Sequence, residues 1–206
     1  MYRVYHTEVI KIGPFTTSRI EIQDILKAWV AISIAFAIVL GGLTSNFLPL
    51  LIISAITVGL GFLLHELGHK IVAQRYGCFA EFRSFDNMLI LAILMSFLGF
   101  IFAAPGAVMI SGPVGTRRNG KISVAGPIVN YVLAILFLLL YLYVPYFRGI
   151  SLYGFIINTW IGLFNMIPVW QFDGAKILRW NKIIYAAMVV MGFVLMLTQG
   201  IIPKYL

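Results

Sequence analysis

The chain is short of charge, of acidic residues, of histidine and of cysteine. Only 11% of its 206 residues are Asp, Glu, Lys or Arg, whereas a soluble domain carries about 25%. A hydrophobic fraction of 61% accompanies that shortage. Together these figures exclude an ordinary soluble domain and predict an integral membrane protein that faces lipid rather than water.

The remaining composition excludes further classes. Cys78 is the one cysteine, so an intramolecular disulfide is impossible and a cysteine-based metal site is not favoured. The net charge of +8 does not indicate nucleic-acid binding, because Lys and Arg are scattered near the ends of apolar segments, where they anchor helices at a membrane surface. Residues 1–27 are mixed polar and charged, so we expect no signal peptide.

Apolar stretches near the ~20 residues needed to cross a bilayer predict the helices. They cover residues 28–43, 47–73, 88–104, 125–144, 152–169 and 183–202. The segments 107–110 and 121–124 lie between Gly and Pro residues and are short enough to be β-strands. We predict an all-α polytopic membrane protein with five to six transmembrane helices and a re-entrant or β-containing membrane-associated segment around 88–123.

Basic residues predict the orientation, because Lys and Arg favour the cytoplasmic side. They precede the first stretch (Arg3, Lys11, Arg19 and Lys27), follow the second (Lys70, Arg75 and Arg83) and follow the third (Arg117, Arg118 and Lys121). If residues 88–104 dip into the membrane and return, all three groups are cytoplasmic. We therefore favour five crossings and a cytoplasmic N-terminus over six crossings.

One acidic residue lies between two of the three histidines. No charged residue occurs from position 28 to position 64, and the run H-E-L-G-H follows directly. On a helix, His65 and His69 lie on one face and can bind one metal ion. Glu66 is placed to take a proton from an attacking water molecule. Ionisable groups at membrane depth are costly and indicate function, so the run predicts a zinc site with Glu66 as a catalytic residue.

A catalytic zinc ion usually takes three protein ligands. In the downstream half of the chain, Asp173 is the one acidic residue and histidine is absent, which makes Asp173 the strongest candidate for the third ligand. Glu81 and Asp86, in the polar segment just after the motif, remain alternatives. His65 lies about 15 Å along its helix from Arg75, which predicts a metal inside the membrane but nearer the cytoplasm.

Three motifs in this order resemble those of the site-2 proteases, the intramembrane zinc metalloproteases of peptidase family M50. That family combines H-E-x-x-H on one transmembrane helix, G-P-x-x-N on another and N-x-x-P-x-x-x-x-D-G on a later one. The chain carries His65-Glu66-x-x-His69, Gly126-Pro127-x-x-Asn130, and Asn165-x-x-Pro168 with Asp173-Gly174. Phe172 stands where Leu is common, which is a conservative departure.

The resemblance implies one zinc ion held by His65, His69 and Asp173, with Glu66 as general base. It implies cleavage of transmembrane segments of other membrane proteins. The length leaves room for a single domain, so we expect one intramembrane metalloprotease domain over residues 1–206, with a catalytic core at about 47–180 and no PDZ or CBS domain. From the residues themselves, Asn165 or Asn130 is a candidate to bind the substrate backbone or the oxyanion. The expected partners are transmembrane substrates and the lipid bilayer of the cell membrane.

Two other classes stay open. A membrane zinc protease with a soluble catalytic face draws its third ligand from a downstream Glu, and no Glu follows Glu81. A metal-binding transporter or scaffold has no peptidase activity, and transporters often show paired inverted repeats, which this sequence lacks. A general base beside two metal ligands is also unusual for a protein that transports the metal.

Overall fold

The computed structural model describes residues 9–101 and 104–201, so Arg3 lies outside the described residues. The helices are α1 Arg19–Gly41, α2 Phe47–Ser54, α3 Leu60–Arg75, α4 Asp86–Ser96, α5 Thr116–Tyr143, α6 Arg148–Asn165, α7 Asp173–Trp180 and α8 Lys182–Ile201. A π-helical turn, Ala55–Gly59, joins α2 to α3, and a 3-10 turn, Pro145–Phe147, precedes α6. The strands are β1 Val9–Ile12, β2 Phe15–Ser18, β3 Phe79–Ser84 and β4 Gly106–Ser111, paired antiparallel as β1-β2 and β3-β4.

Four helical stretches in the described part are long and apolar enough to cross a membrane: Arg19–Gly41, Phe47–Arg75, Thr116–Tyr143 and Lys182–Ile201. The second is one continuous stretch of 29 residues that contains α2, the π-helical turn and α3. These stretches make the chain a multi-pass membrane protein and confirm the mostly helical class. The 18-residue α6 is not one of these four; it begins at Arg148 and carries buried Asn158 and Thr159. The long central helix α5 contacts α3, α6 and α7.

The region between α3 and α5 differs from two of the expectations. A helix was expected over the apolar stretch 88–104, but α4 ends at Ser96; its 11 residues are about 16 Å long, half the hydrocarbon thickness. The strand expected at 107–110 is confirmed as β4. The strand expected at 121–124 is wrong, because those residues lie inside α5. Helix α5 accommodates both Gly120, which packs directly against Trp180, and Pro127.

The β3–β4 pair is held between two glutamates. Phe82 and Val108 face each other in the register, and their backbone N–H groups point away from the partner strand. The N–H of Phe82 donates to Oε1 of Glu21 at 2.9 Å, and the N–H of Val108 donates to Oε2 of Glu66 at 3.1 Å. One carboxylate comes from α1 and the other from α3, so the sheet is fastened to both helices.

Glu21 is fully buried and forms an ion pair with Lys70 of α3. The Oγ1 of Thr17 also donates to the Glu21 carboxylate, at 2.6 Å, and the N–H of Glu21 donates to Oγ of Ser18, the N-cap of α1. The sequence signal for this arrangement is the S-x-x-E spacing of a helix N-terminus. Lys70 was expected among the cytoplasmic flanking charges, but it is a buried partner that joins α3 to α1.

Candidate active site

The two histidines of α3 lie one helical turn apart and face each other. His65 is 3% exposed and His69 is 8% exposed. Their Nε2 atoms are 3.1 Å apart, and the two rings meet edge to face. The i,i+4 spacing therefore does what the sequence predicts, because it directs both Nε2 atoms to one point.

Asp173 completes the group. Its Oδ2 lies 3.3 Å from Nε2 of His65 and 3.0 Å from Nε2 of His69, and the residue is 5% exposed. Across residues 9–101 and 104–201, these three residues form the group of His, Cys, Asp or Glu that could hold a metal ion. The alternative ligands are engaged elsewhere. Glu81 pairs with a neighbouring arginine on β3, and Asp86 bonds to a lysine of α1, whose hydrogen bond lowers the pKa of that carboxyl.

The turn between α6 and α7 brings Asp173 to the histidines. Helix α6 ends at Asn165, and Asp173 is the first residue of α7. Gly174 packs so tightly on the backbone of Met166 that a Cβ at position 174 would overlap its carbonyl. Trp170, in the turn, adopts a left-handed φ of 51°. The N-x-x-P-x-x-x-x-D-G motif therefore forms a compact turn between α6 and α7 that places the Asp173 carboxylate beside the histidines.

Two hydrogen bonds determine which imidazole nitrogens face the centre of the site. Nδ1 of His65 lies 2.6 Å from Oδ1 of Asn130, and Nδ1 of His69 lies 2.8 Å from the carbonyl oxygen of Ile122. Both oxygens only accept, so both Nδ1 atoms donate and both Nε2 atoms present lone pairs toward the carboxylate of Asp173.

Three electron-rich atoms converging in this way fit a cation. Tetrahedral zinc with bonds of ~2.0–2.1 Å holds neighbouring ligand atoms about 3.3 Å apart. The three separations here are 3.0, 3.1 and 3.3 Å. Two imidazoles and one carboxylate also form a donor set that leaves one position open for water or substrate. His65, His69 and Asp173 are therefore a candidate zinc site.

Gly126 of α5 lies against both histidines. A Cβ built on Gly126 would be 2.5 Å from Nε2 of His65 and 2.5 Å from Nε2 of His69. A side chain at this position would occupy the point on which the ligands converge. Glycine at the first position of the G-P-x-x-N motif therefore keeps the metal position clear.

We expect Gly126→Ala to abolish high-affinity zinc binding, because the added methyl group and the two Nε2 atoms cannot share that space. The measurement is zinc content after gel filtration. Gly149→Ala is the matched control, since a Cβ at Gly149 meets nothing within 4 Å and alanine favours a helix by roughly 0.5–1 kcal/mol. Full zinc content in Gly126→Ala would contradict the assigned geometry.

Glu66 lies beside the histidines at the edge of an apolar cavity. The cavity has a volume of about 410 Å³ and is lined by both Glu66 and His65. Its other walls are largely hydrophobic and include Ile32, Ala35, Phe62, Trp160 and Phe164. Because Val108 donates to only one Glu66 oxygen, the carboxylate is held in place and keeps capacity to accept a proton.

The two asparagines predicted from the motifs occupy different places. Asn165 lines the cavity, and its Nδ2 donates to the carbonyl of Ile161 on its own helix at 2.9 Å. Asn130 is fully buried against His65, with both of its polar atoms engaged. Sequence reasoning did not identify the Ile122 carbonyl and the Val108 amide, because backbone groups carry no residue signal. It also passed over Asn158, whose one signal is an amide within an apolar stretch.

Known proteins with similar sequences carry a matching activity in their names. The Methanocaldococcus jannaschii protein named Putative zinc metalloprotease MJ0611 is 41% identical over 178 residues, which cover 84% of this chain and 90% of that protein. Zinc metalloprotease MJ0392 of the same organism is 30% identical over 123 residues, covering 56% of this chain and 30% of that protein. No protein-family profile and no solved structure matches the chain. With a buried His-His-Asp site and this extent of similarity, the chain belongs to the family of archaeal zinc metalloproteases that includes MJ0611.

Proposed function

We propose that the chain is an intramembrane zinc endopeptidase of the site-2 protease type, which cleaves transmembrane segments of other membrane proteins. The observation that carries the proposal is the position of the candidate zinc site. His65 and His69 lie within the 29-residue apolar stretch and are buried together with Asp173. An active site within a membrane-spanning helix is accessible to substrates in the bilayer rather than to substrates in water.

The cavity supports a hydrophobic substrate. Apolar side chains form most of its walls, and Glu66 and His65 supply polar groups at one end. A water-soluble, charged peptide would lose hydration in such a cavity without gaining partners. An apolar segment loses little favourable hydration on entering the cavity, so the cavity favours transmembrane sequences.

The chain's own residues supply the acid-base chemistry. When bound, zinc supplies Lewis acidity, which lowers the pKa of water and polarises a peptide carbonyl. Glu66 accepts the proton of the attacking water and passes it to the leaving amine. The N–H of Val108 orients the Glu66 carboxylate throughout. Asn165 is the better placed of the two asparagines to bind substrate, because it lines the cavity, whereas Asn130 is occupied by His65.

Strand β4 offers an edge to an unwound substrate. The N–H of Val108 points away from β3 but is bonded to Glu66. By the alternation of an antiparallel pair, the N–H groups of Gly106 and Ile110 point to the same edge, and these are the groups with which a substrate would pair. Gly106 also lines the cavity. A helical substrate hides its carbonyls in its own hydrogen bonds, so it must unwind before cleavage. Pairing with this edge would stabilise the unwound segment.

The register of α3 against α5 supports five crossings. His65 bonds to Asn130, and His69, further along α3, bonds to Ile122, earlier in α5. The two helices therefore run antiparallel, with the end of α3 beside the beginning of α5. If both span the membrane, the chain between them returns to the side that it left.

A contact at the helix ends agrees with that orientation. The guanidinium of Arg118, in the first turn of α5, lies 5.7 Å from the ring centroid of Tyr76, which follows α3. Helix α4 is also too short to cross alone. We therefore propose that α1, the stretch containing α2 and α3, α5, α6 and α8 cross the membrane, that α4 does not, and that the N-terminus is cytoplasmic.

A cysteine at Asn119 tests this topology. In a Cys78→Ser background, we expect Asn119→Cys to react with an impermeant thiol reagent only after cells are permeabilised. Tyr146→Cys is the matched control on the opposite side, because Tyr146 is 89% exposed between α5 and α6. We expect it to react in intact cells. Labelling of Asn119→Cys in intact cells would contradict the cytoplasmic position of the beginning of α5, and protection of Tyr146→Cys in the same experiment would indicate the reversed orientation.

Cleavage of paired substrates tests the activity. Purified full-length protein is reconstituted into liposomes with zinc and given either a model transmembrane helix with a glycine-weakened centre or soluble casein. We expect cleavage of the transmembrane substrate alone, loss of cleavage with a chelator, and recovery with zinc. Cleavage of casein alone would indicate a zinc protease with a soluble catalytic face. Zinc binding without cleavage of either substrate, together with zinc uptake into the liposomes, would indicate a transporter.

A further inference from the structure

A chain of buried amides leads from α6 to the candidate zinc site. Asn158 of α6 is fully buried, and its Oδ1 accepts a hydrogen bond from Nδ2 of Asn130 at 3.1 Å. Asn130 in turn accepts from Nδ1 of His65 at 2.6 Å. Asn158 thus stands two hydrogen bonds from the imidazole and touches neither the metal position nor the substrate cavity.

Each hydrogen bond in this series of buried amides has an assigned donor and acceptor. Nδ2 of Asn158 donates to the carbonyl of Gly154 at 2.9 Å and lies 3.4 Å from that of Thr57, in the π-helical turn. Carbonyls only accept, so the amide nitrogen of Asn158 faces them and its oxygen faces Asn130. Asn130 then turns its own oxygen toward His65.

Asn158 is one of two groups that prevent Asn130 from rotating. Nδ2 of Asn130 donates to Oδ1 of Asn158 and to the carbonyl of Gly61, both at 3.1 Å. In the reversed orientation, the Asn130 oxygen would face two acceptors and its nitrogen would face the donor of His65. Unsatisfied polar groups are especially costly in a low-dielectric interior, so loss of the Asn158 oxygen would loosen the amide that orients His65.

The packing around Asn158 leaves space for its amide to reach Asn130. A Cβ at Gly61 would overlap the Asn158 amide, so the glycine lets the amide reach between α3 and α5. Neighbouring Thr159 is equally buried, but its Oγ1 donates only to the carbonyl of Phe155 on the same helix. Burial of a polar side chain on α6 is therefore not enough to connect it to the site.

We propose that Asn158 is a positioning residue for the zinc site, which acts through Asn130 to hold His65 in the tautomer and orientation that bind the metal. This inference rests on the zinc site of the proposed function. It assigns to α6 a role in metal affinity, in addition to its role as a wall of the cavity.

Zinc affinity of the full-length protein in detergent tests the proposal, measured by competition with a zinc indicator. Loss of an outer hydrogen-bond partner costs roughly 10- to 100-fold in metal affinity. We expect Asn130→Leu to fall in that range and Asn158→Leu to weaken binding by about 10-fold. The double variant should bind zinc no more weakly than Asn130→Leu, because both changes break the same chain of bonds.

Two further variants separate positioning from stability. Thr159→Val removes an equally buried polar group and should leave zinc affinity unchanged. Asn158→Asp keeps an oxygen that accepts from Asn130 and, as the neutral acid, an O–H that donates to the carbonyl of Gly154, so it should restore most of the affinity lost in Asn158→Leu. A merely structural role would lower the melting temperature of Asn158→Leu without this pattern in zinc affinity.

Several outcomes would overturn the proposal. Unchanged zinc affinity in folded Asn158→Leu would do so, as would a double variant whose loss equals the product of the single losses. If Asn158→Leu does not fold, Asn158→Ala is measured in its place with the same expectation. A wild-type protein without zinc affinity would overturn the zinc site and this inference together, whereas zinc binding that is insensitive to Asn158 overturns this inference alone.

Discussion

Glu66→Gln is expected to retain zinc and to lose peptidase activity by roughly 10²- to 10⁴-fold, the range for removal of a general acid-base. Glutamine has nearly the same shape as glutamate, and its oxygen can still accept the hydrogen bond that Val108 donates at 3.1 Å. It cannot accept the proton of the attacking water. The measurement is cleavage of a reconstituted transmembrane substrate, together with zinc content on the same preparation.

Glu81→Gln is the matched control for this experiment. Glu81 is also a buried glutamate, 3% exposed, but it lies on β3 and pairs with Arg83. We expect its replacement to affect stability more than the rate of cleavage. Equal cleavage by wild type and Glu66→Gln would remove Glu66 from the role of general base, whatever the zinc content.

Asp173→Ala is expected to weaken zinc binding by more than the roughly 100-fold that loss of an outer-shell partner costs, because it removes a direct ligand. Oδ2 of Asp173 lies 3.0 and 3.3 Å from the two Nε2 atoms, so no other carboxylate has to move for the ligand set to be complete. His65→Ala and His69→Ala should produce losses of the same order. Elemental analysis and zinc titration of each variant measure the effect.

The two acidic residues that sequence alone left open serve as controls. Asp86→Ala removes a largely exposed carboxylate that bonds to Lys27, and Glu81→Ala removes a buried one. Neither should change the amount of zinc bound. If Asp173→Ala retains full zinc and one of the two controls loses it, the residue replaced in that control would be the third ligand.

Local patterns were enough to predict much of the molecule. Composition alone identifies a membrane protein, because long apolar stretches with few charges have no other stable environment. The i,i+4 spacing of His65 and His69 places both rings on one helical face whatever the rest of the chain does. Asp173 could be predicted because acidic residues are so scarce in the downstream half that few alternatives exist.

Predictions based on single residues failed where packing determines local structure. Gly120 suggested a break, yet it lies within α5, because it packs directly against Trp180 of α7. Lys70 looked like a flanking charge, but Glu21, far away in sequence, makes its burial favourable. In each case the partner comes from another element, and no short sequence window contains it.

The sequence by itself therefore determined the membrane class, the metal-binding pair on α3 and the scarcity that singles out Asp173. Tertiary structure alone decided how these groups are oriented: the Ile122 carbonyl and Asn130 select the tautomers, the Val108 amide holds Glu66, and Asn158 holds Asn130. The physical reason is that backbone N–H and C=O groups are the same in every residue. Their direction, and that of the amides they bind, exists only once helices and strands have packed together.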